Sequence, residues 1–230
     1  GGDIPAERAA ASRQVTVTGS PAGRLLLKKG IIVDGTGKKS FVGDVLISGN
    51  TIEAVTTNDL KFPGRTIDCD GRVIAPGFID AHSHNDWVMG RRDHFQFTAP
   101  FTAQGITTFV TGNCGFGVAG FEKNTRFRDL IGQGGRLFNN TSIPWTTMDE
   151  YLTAIRRQGL THNMVNLTGH GTSRMSIRGF KPTPMNREEM KKLLSLLNDT
   201  MEQGSRGVSL GLQYEPGIFA TDDELKQVAK

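Results

Sequence analysis

The chain has 230 residues, 37% of them hydrophobic and 22% charged, enough for one sizeable core or for a small domain joined to part of a larger one; wholesale disorder, collagen and coiled coil are excluded. Its net charge of +4 arises from 27 basic and 23 acidic side chains that are scattered along the sequence, so no nucleic-acid partner is expected. No apolar run approaches the roughly 20 residues of a membrane helix, no signal-peptide pattern opens the chain, and the two cysteines, Cys69 and Cys114, make no disulfide framework, which together point to a cytoplasmic protein without a membrane partner.

Residues 1–22 are small and polar and read as a disordered leader or tag. Residues 23–68 read as a small, incomplete β domain. Short runs at Leu25–Leu27, Ile31–Val33, Val45–Ser48 and Thr51–Val55 carry it, the last two joined by a Gly49-Asn50 hairpin turn. From 69 to 230 the grammar changes to strands alternating with helices, the pattern of βα units and a parallel sheet. Strands are expected at Val73–Asp80, Ile106–Thr111, Met164–Thr168 and Gly207–Leu212. A helix from Met148 to Gln158 is announced by a Thr147/Glu150 capping box, with Met148, Tyr151, Leu152 and Ile155 on one face and Gly159 past its end. Asn186 caps another over Arg187–Gln203, and a Thr221/Glu224 capping box opens a third that runs to Lys230. The fold class is α/β, a partial (β/α)8 TIM-type barrel of about four βα units behind a small N-terminal β-sandwich-like domain. Of the sequons at Asn140 and Asn166, the second lies in an apolar run that should be buried, and glycosylation gets little weight.

His82 and His84 stand two apart at the end of the first strand after residue 69, where a period of two puts both imidazoles on one face. Two such ligands suit one metal ion, and strand ends are where barrels keep their sites; the alternative is a pair of surface or core histidines near a turn. Asp80 and Asp86 are candidates to fix the imidazole tautomers from behind. Cys114, just past the second strand, is either a thiolate ligand facing the histidines or a small buried hydrophobe, and alone it reads as the latter. Gly115, Gly117 and Gly120 have the spacing of a dinucleotide loop, yet the acidic residue such a site needs on a following strand is missing, so an oxidoreductase is disfavoured. His170 in Gly169-His170-Gly171-Thr172 could hydrogen-bond substrate from a strand end or be an ordinary loop residue, and the Tyr214 hydroxyl could donate to a substrate carboxylate or oxyanion or pack over its turn. His94 and His162 read as structural.

Taken together, these stretches resemble the amidohydrolase superfamily and, within it, the N-acyl-D-amino-acid deacylases (D-aminoacylases). The resemblance runs from about Leu25 to Lys230 through Gly30–Gly37, Ala75-Pro-Gly-Phe-Ile-Asp-Ala-His-Ser-His84, Gly105–Phe116, Gly169–Thr172 and Gly211–Gly217. Hydantoinase-like relatives bridge two metals with a carboxylated lysine from the fourth strand, and Gly207–Tyr214 contains no lysine. D-aminoacylases look instead to a cysteine after the second strand, the place of Cys114, which the resemblance makes a ligand beside His82 and His84.

The resemblance implies one or two Zn2+ ions, activation of water for attack on an amide carbonyl, and a small N-acyl-D-amino acid as substrate, with a homo-oligomer possible. It also implies that the remaining metal histidines and the general-base aspartate belong to later strands, beyond Lys230, so the chain reads as a truncated fragment with little deacylase activity alone. The competing readings are a non-catalytic half-barrel that binds metal or pairs with itself, and a dihydroorotase- or hydantoinase-like cyclic amidohydrolase.

Overall fold

The computed structural model describes residues 14–20, 22–137 and 143–230, and the chain divides into two units, Gly1–Pro76 and Gly77–Lys230. Most of the polar leader, and Asn140, lie outside the described residues.

The first unit is built of strands β1 (Gln14–Thr16), β2 (Arg24–Ile32), β3 (Phe41–Ser48), β4 (Thr51–Thr56), β5 (Asp59–Lys61), β6 (Arg65–Asp68) and β7 (Val73–Ile74). β4, β3, β2 and β6 follow one another in a sheet that β7 extends along β2, while β1 and β5 form a separate parallel pair. β3 and β4 are the expected hairpin, with Gly49 at φ 58 in the turn, a backbone conformation that glycine adopts without strain. Residues 14–16 depart from the leader reading. Val15, within them, and Val17, just after, pack on the core of Leu26, Leu46 and Leu60, so two apolar side chains at period two were enough to make an edge strand from a polar segment. A bulge in β2 between Leu27 and Gly30 puts Lys29 at φ 56, and buried Asp44 holds it by accepting the N–H groups of Lys29 at 2.9 Å and Leu60 at 2.8 Å.

The second unit contains β8 (Phe78–Asp80), α1 (Asp86–Met89), α2 (His94–Ala103), β9 (Ile106–Thr111), α3 (Arg128–Leu137), α4 (Met148–Gln158), β10 (Asn163–Asn166), β11 (Thr168–Gly169), α5 (His170–Arg178), α6 (Arg187–Glu202), β12 (Val208–Ser209), a 3-10 turn (Gly217–Phe219) and α7 (Asp222–Val228). β8, β9 and β10 form a parallel sheet with β9 in the middle, and β11 pairs in parallel with β12. This is a mixed α/β fold with several parallel sheets.

The single strand expected over Val73–Asp80 is two strands in two sheets. Pro76 has no N–H to continue a ladder, and a Cβ at Gly77 would run into the Thr107 side chain. Likewise Met164–Thr168 splits at Leu167, where the chain passes from β9 to β12: the Leu167 N–H still bonds Thr111 at 2.9 Å, and the next N–H, of Thr168, bonds Gly207 at 2.9 Å.

α4 opens with the expected Thr147/Glu150 capping box and α6 with the expected Asn186 cap, to which Glu189 adds the second half of a box. α4 buries Met148, Tyr151, Leu152 and Ile155 with Trp87, Val118, Ala119 and Trp145 in the largest apolar cluster among the described residues. Asn166 is buried, as its apolar neighbours suggest.

At α7 only half of the expected box forms. Thr221 accepts the Glu224 N–H, but the Glu224 carboxylate is drawn inward to His170 and Arg174. No helix of the described residues is long and apolar enough to cross a membrane.

Candidate metal centre

β8 and β9 run parallel, so the residues that follow them emerge side by side at their carboxyl ends. The histidines stand just past β8 and not within it, so period-two alternation does not bring them together; a turn does. Asp80 Oδ1 accepts the His82 N–H at 3.2 Å, an Asx-type turn that swings the chain around before Ser83 rejoins β9 by donating its N–H to Val110 at 3.0 Å.

On the neighbouring strand, β9 leads into Gly112-Asn113-Cys114-Gly115, where Gly112 and Gly115 have φ 75 and 73 and Cys114 itself has φ 57. For a residue with a Cβ this conformation costs on the order of 1–3 kcal/mol and persists only when its surroundings over-determine it. They do. Asn113 Nδ2 donates to Val110 at 2.9 Å and Ser83 at 3.3 Å, tying the loop to the histidine turn. Ser209, from the end of β12, accepts the Gly115 N–H at 3.0 Å and donates to the Gly112 carbonyl. Thr172, in α5, gives its backbone N–H to the Gly115 carbonyl at 3.0 Å and accepts the Gly117 N–H on its hydroxyl at 3.0 Å. Tyr214 donates its hydroxyl to the Cys114 carbonyl at 2.6 Å and stacks on Phe116 at 5.3 Å between ring centroids.

The outcome is one donor cluster. The ligand atoms of His82, His84 and Cys114 all lie within 4.8 Å of one another. His82 Nε2 and Cys114 Sγ are 3.1 Å apart, and the two imidazoles meet edge to face with centroids at 6.0 Å. Donors about 2.0–2.3 Å from a tetrahedral zinc stand roughly 3.4–3.8 Å from each other, so the set fits such an ion with small adjustments, and two imidazoles with a thiolate suit a borderline-soft metal. Burial, and secondarily the charge of His82, hold the His84 imidazole below its usual value, which favours the neutral, ligating form.

The other expected site residues fall elsewhere. Asp80 serves the His82 backbone as described. Asp86 is 2% exposed, and burial pushes its carboxyl up to about 7 against the opposing pull of backbone N–H groups that include those of Gly112 and Val118. Tyr214 sits beside Cys114, and burial with the cysteine's proximity pushes its phenol up to about 12. His170 is fully buried at the start of α5, with Nε2 2.9 Å from Glu224 Oε1.

Gly115, Gly117 and Gly120 do not open a helix, and the space a dinucleotide loop would need is filled by protein: a Cβ at Gly115 would stand 2.8 Å from the Gly211 nitrogen, and one at Gly120 2.8 Å from Thr200. His94 and His162 are hydrogen-bonded within the helical layer, to Gln158 and to Thr102 and Thr161. Sequence reasoning missed the residues that shape the Cys114 loop. Ser83 and Asn113 adjoin the ligands and could have been suspected on that ground; Thr172 lay in the Gly169–Thr172 stretch without being given a role, and Ser209 carried no signal of its own.

The chain belongs to the amidohydrolase family, whose model matches residues 65–212. Within that family it is similar to D-aminoacylase of Alcaligenes xylosoxydans xylosoxydans, 31% identical over 209 residues that cover 90% of this chain and 41% of that protein. Among solved structures, a D-aminoacylase with a binuclear metal centre, described as activated by one metal and attenuated by the second, matches with a TM-score of 0.73 and 29% identity over 89% of this chain and 42% of that one. The N-acyl-D-glutamate deacylase of Bordetella bronchiseptica, complexed with zinc and a phosphonate that mimics the tetrahedral intermediate, matches with a TM-score of 0.69 and 27% identity over the same shares, 89% and 42%. The chain thus spans about two fifths of the length of these relatives.

Proposed function

We propose that this chain is the N-terminal part of a zinc-dependent hydrolase that cleaves the amide bond of N-acyl-D-amino acids. The observation that carries the reading is the convergence of His82, His84 and Cys114 at the carboxyl ends of two adjacent parallel strands. On this reading residues 77–230 belong to a (β/α)8 barrel, and the first unit, with β1 and β5 laid over the larger sheet, is sandwich-like. His82, His84 and Cys114 would hold the ion, which when bound supplies a Lewis acid for the amide oxygen and a water made acidic enough to attack. Asp80 fixes the turn that aims His82, and Asp86, buried, faces backbone N–H groups that include those of Gly112 and Val118, on either side of Cys114. Tyr214, partly exposed next to Cys114, borders the space for the acylated amino acid, whereas His170, closed off by Glu224, acts on the site through the fold and not by touching substrate. The names of D-aminoacylase and N-acyl-D-glutamate deacylase, to which most of the chain is similar, and the absence of a lysine from Gly207–Tyr214, favour a deacylase over a cyclic amidohydrolase.

The test is metal titration of the metal-depleted chain with zinc or cobalt(II), followed by turnover of N-acetyl-D-methionine. At least one equivalent of metal should bind, with thiolate-to-cobalt absorption that Cys114→Ser removes. Turnover by the chain alone should be negligible, since no carboxylate joins the donor cluster among the described residues to act as general base. Metal binding indifferent to Cys114→Ser would refute the site, and clear turnover would refute the assignment of the base to another part of the enzyme.

A further inference from the structure

Besides the donor cluster, the second unit holds a buried ionic group. His170, Arg174 and Glu224 are 0%, 0% and 2% exposed, and Glu224 Oε1 receives both His170 Nε2 at 2.9 Å and Arg174 Nε at 3.0 Å. Taking charges out of water costs several kcal/mol per ion, and an apolar trio of the same volume would stabilise a core equally well or better. The pairing is also incomplete: His170 Nδ1, Arg174 Nη1 and Glu224 Oε2 have no hydrogen-bond partner among the described residues. Stability alone therefore does not account for the group.

Its connections do. From Glu224, one arm passes through His170 into the first turn of α5, where the Thr172 N–H bonds the Gly115 carbonyl at 3.0 Å. The other passes through Arg174, whose Nη2 donates to the Phe219 carbonyl at 3.2 Å in the 3-10 turn. That turn is tied back by the Ile218 N–H to the Tyr214 carbonyl at 2.9 Å, and Tyr214 donates to the Cys114 carbonyl at 2.6 Å. Two arms from one carboxylate thus end on consecutive carbonyls, those of Cys114 and Gly115, in the loop whose cysteine has φ 57. Gly211 allows the approach: a Cβ there would stand 2.5 Å from the Tyr214 hydroxyl.

We propose that Glu224 is a positioning residue for the Cys114 thiolate, acting through His170 and Arg174 to hold the α5 N-terminus and the Tyr214 turn against the Cys114–Gly115 backbone. The inference rests on the metal-centre reading above and adds to it a residue from α7 that touches neither metal nor substrate.

The experiment uses the whole chain, metal-depleted and titrated with cobalt(II), with urea unfolding recorded for every variant. Glu224→Gln and Tyr214→Phe should each weaken cobalt binding about tenfold, as loss of a group that orients a ligand does, and shift the thiolate-to-cobalt band. Tyr214→Phe should do so with an unchanged unfolding midpoint, an effect that a merely structural role would not produce. If Glu224→Gln does not fold, Arg174→Lys, which keeps a charge beside Glu224 but releases Phe219, decides in its place. Folded variants that bind cobalt with wild-type affinity and spectrum overturn the proposal. If wild-type chain binds cobalt no better than Cys114→Ser, it is the metal-centre reading that fails, and the alkylation rate of Cys114 in metal-free chain then judges the positioning. A several-fold change in that rate in Glu224→Gln supports it, and an unchanged rate overturns it.

Discussion

At Glu224, burial and charge pull in opposite directions. Desolvation alone would raise its carboxyl, but the hydrogen bond from His170 and the charge of Arg174 outweigh it and hold the group below its ordinary value of 4.5. A carboxylate whose folded value is depressed contributes stability that is fully present above the unfolded value and is lost as pH falls through the folded one. Glu224→Gln should therefore cost about 3 kcal/mol at neutral pH by urea unfolding, and the gap to wild type should narrow as pH drops below 4.5. A gap that stays constant across the acid range would show that Glu224 gains nothing from its charge. The histidine pair was legible as a candidate because imidazoles two apart at a strand end suit one metal ion, whereas Cys114 read alone as a small buried hydrophobe and became a candidate ligand only through the family resemblance. Glu224 was not legible: three residues after Thr221 it satisfies the pattern of a helix cap, and nothing local says that its carboxylate will turn inward to partners in α5, 50 and 54 positions away.

The same contrast holds between helices. α4 and α6 were readable from sequence because they lie on a core with one apolar face and are opened by side chains of their own, so periodicity and caps state both their extent and their orientation. Thr147→Ala should thus destabilise the chain by about 1 kcal/mol in urea, with the denaturant slope unchanged, since one orphan N–H loses its partner while the buried face stays intact. An unaltered midpoint would mean that burial of Met148, Tyr151, Leu152 and Ile155 alone fixes this helix. α5 gave no such signal. It is buried on nearly every side, and its polar residues are the ones that bind loops: Ser173 donates to Gly120 at 2.6 Å, and Ser176 accepts the Glu122 N–H at 3.0 Å. With Met175 and Ile177 its only large apolar residues, the helix offers no apolar stripe to mark it as a core helix. α2 hid for another reason, because Pro100 lies inside it.

For the molecule as a whole, alternation of strands and helices after residue 69 was enough to indicate parallel βα architecture, but not where one sheet yields to the next. The boundary at Pro76-Gly77 was marked in the sequence by a residue with no N–H to continue a ladder, but that at Leu167 depends on which neighbour receives each backbone N–H, a long-range choice that composition does not encode. The donor cluster spans two such strand ends, with its loop tied to β12 and α5 as well. A metal bound there would cross-link segments that lie far apart in sequence, and it would bind the folded state alone. Zinc at about 100 times its Kd should accordingly stabilise the second unit by roughly 2.7 kcal/mol, and a chelator should reverse this. The gain should appear in hydrogen–deuterium exchange as added protection over 81–85 and 111–117, where Asn113 and Ser83 join the two ligand loops. Cys114→Ser should abolish both effects. Protection spread evenly over the chain, or retained in that variant, would mean that zinc binds elsewhere and that the convergence of His82, His84 and Cys114 serves packing alone.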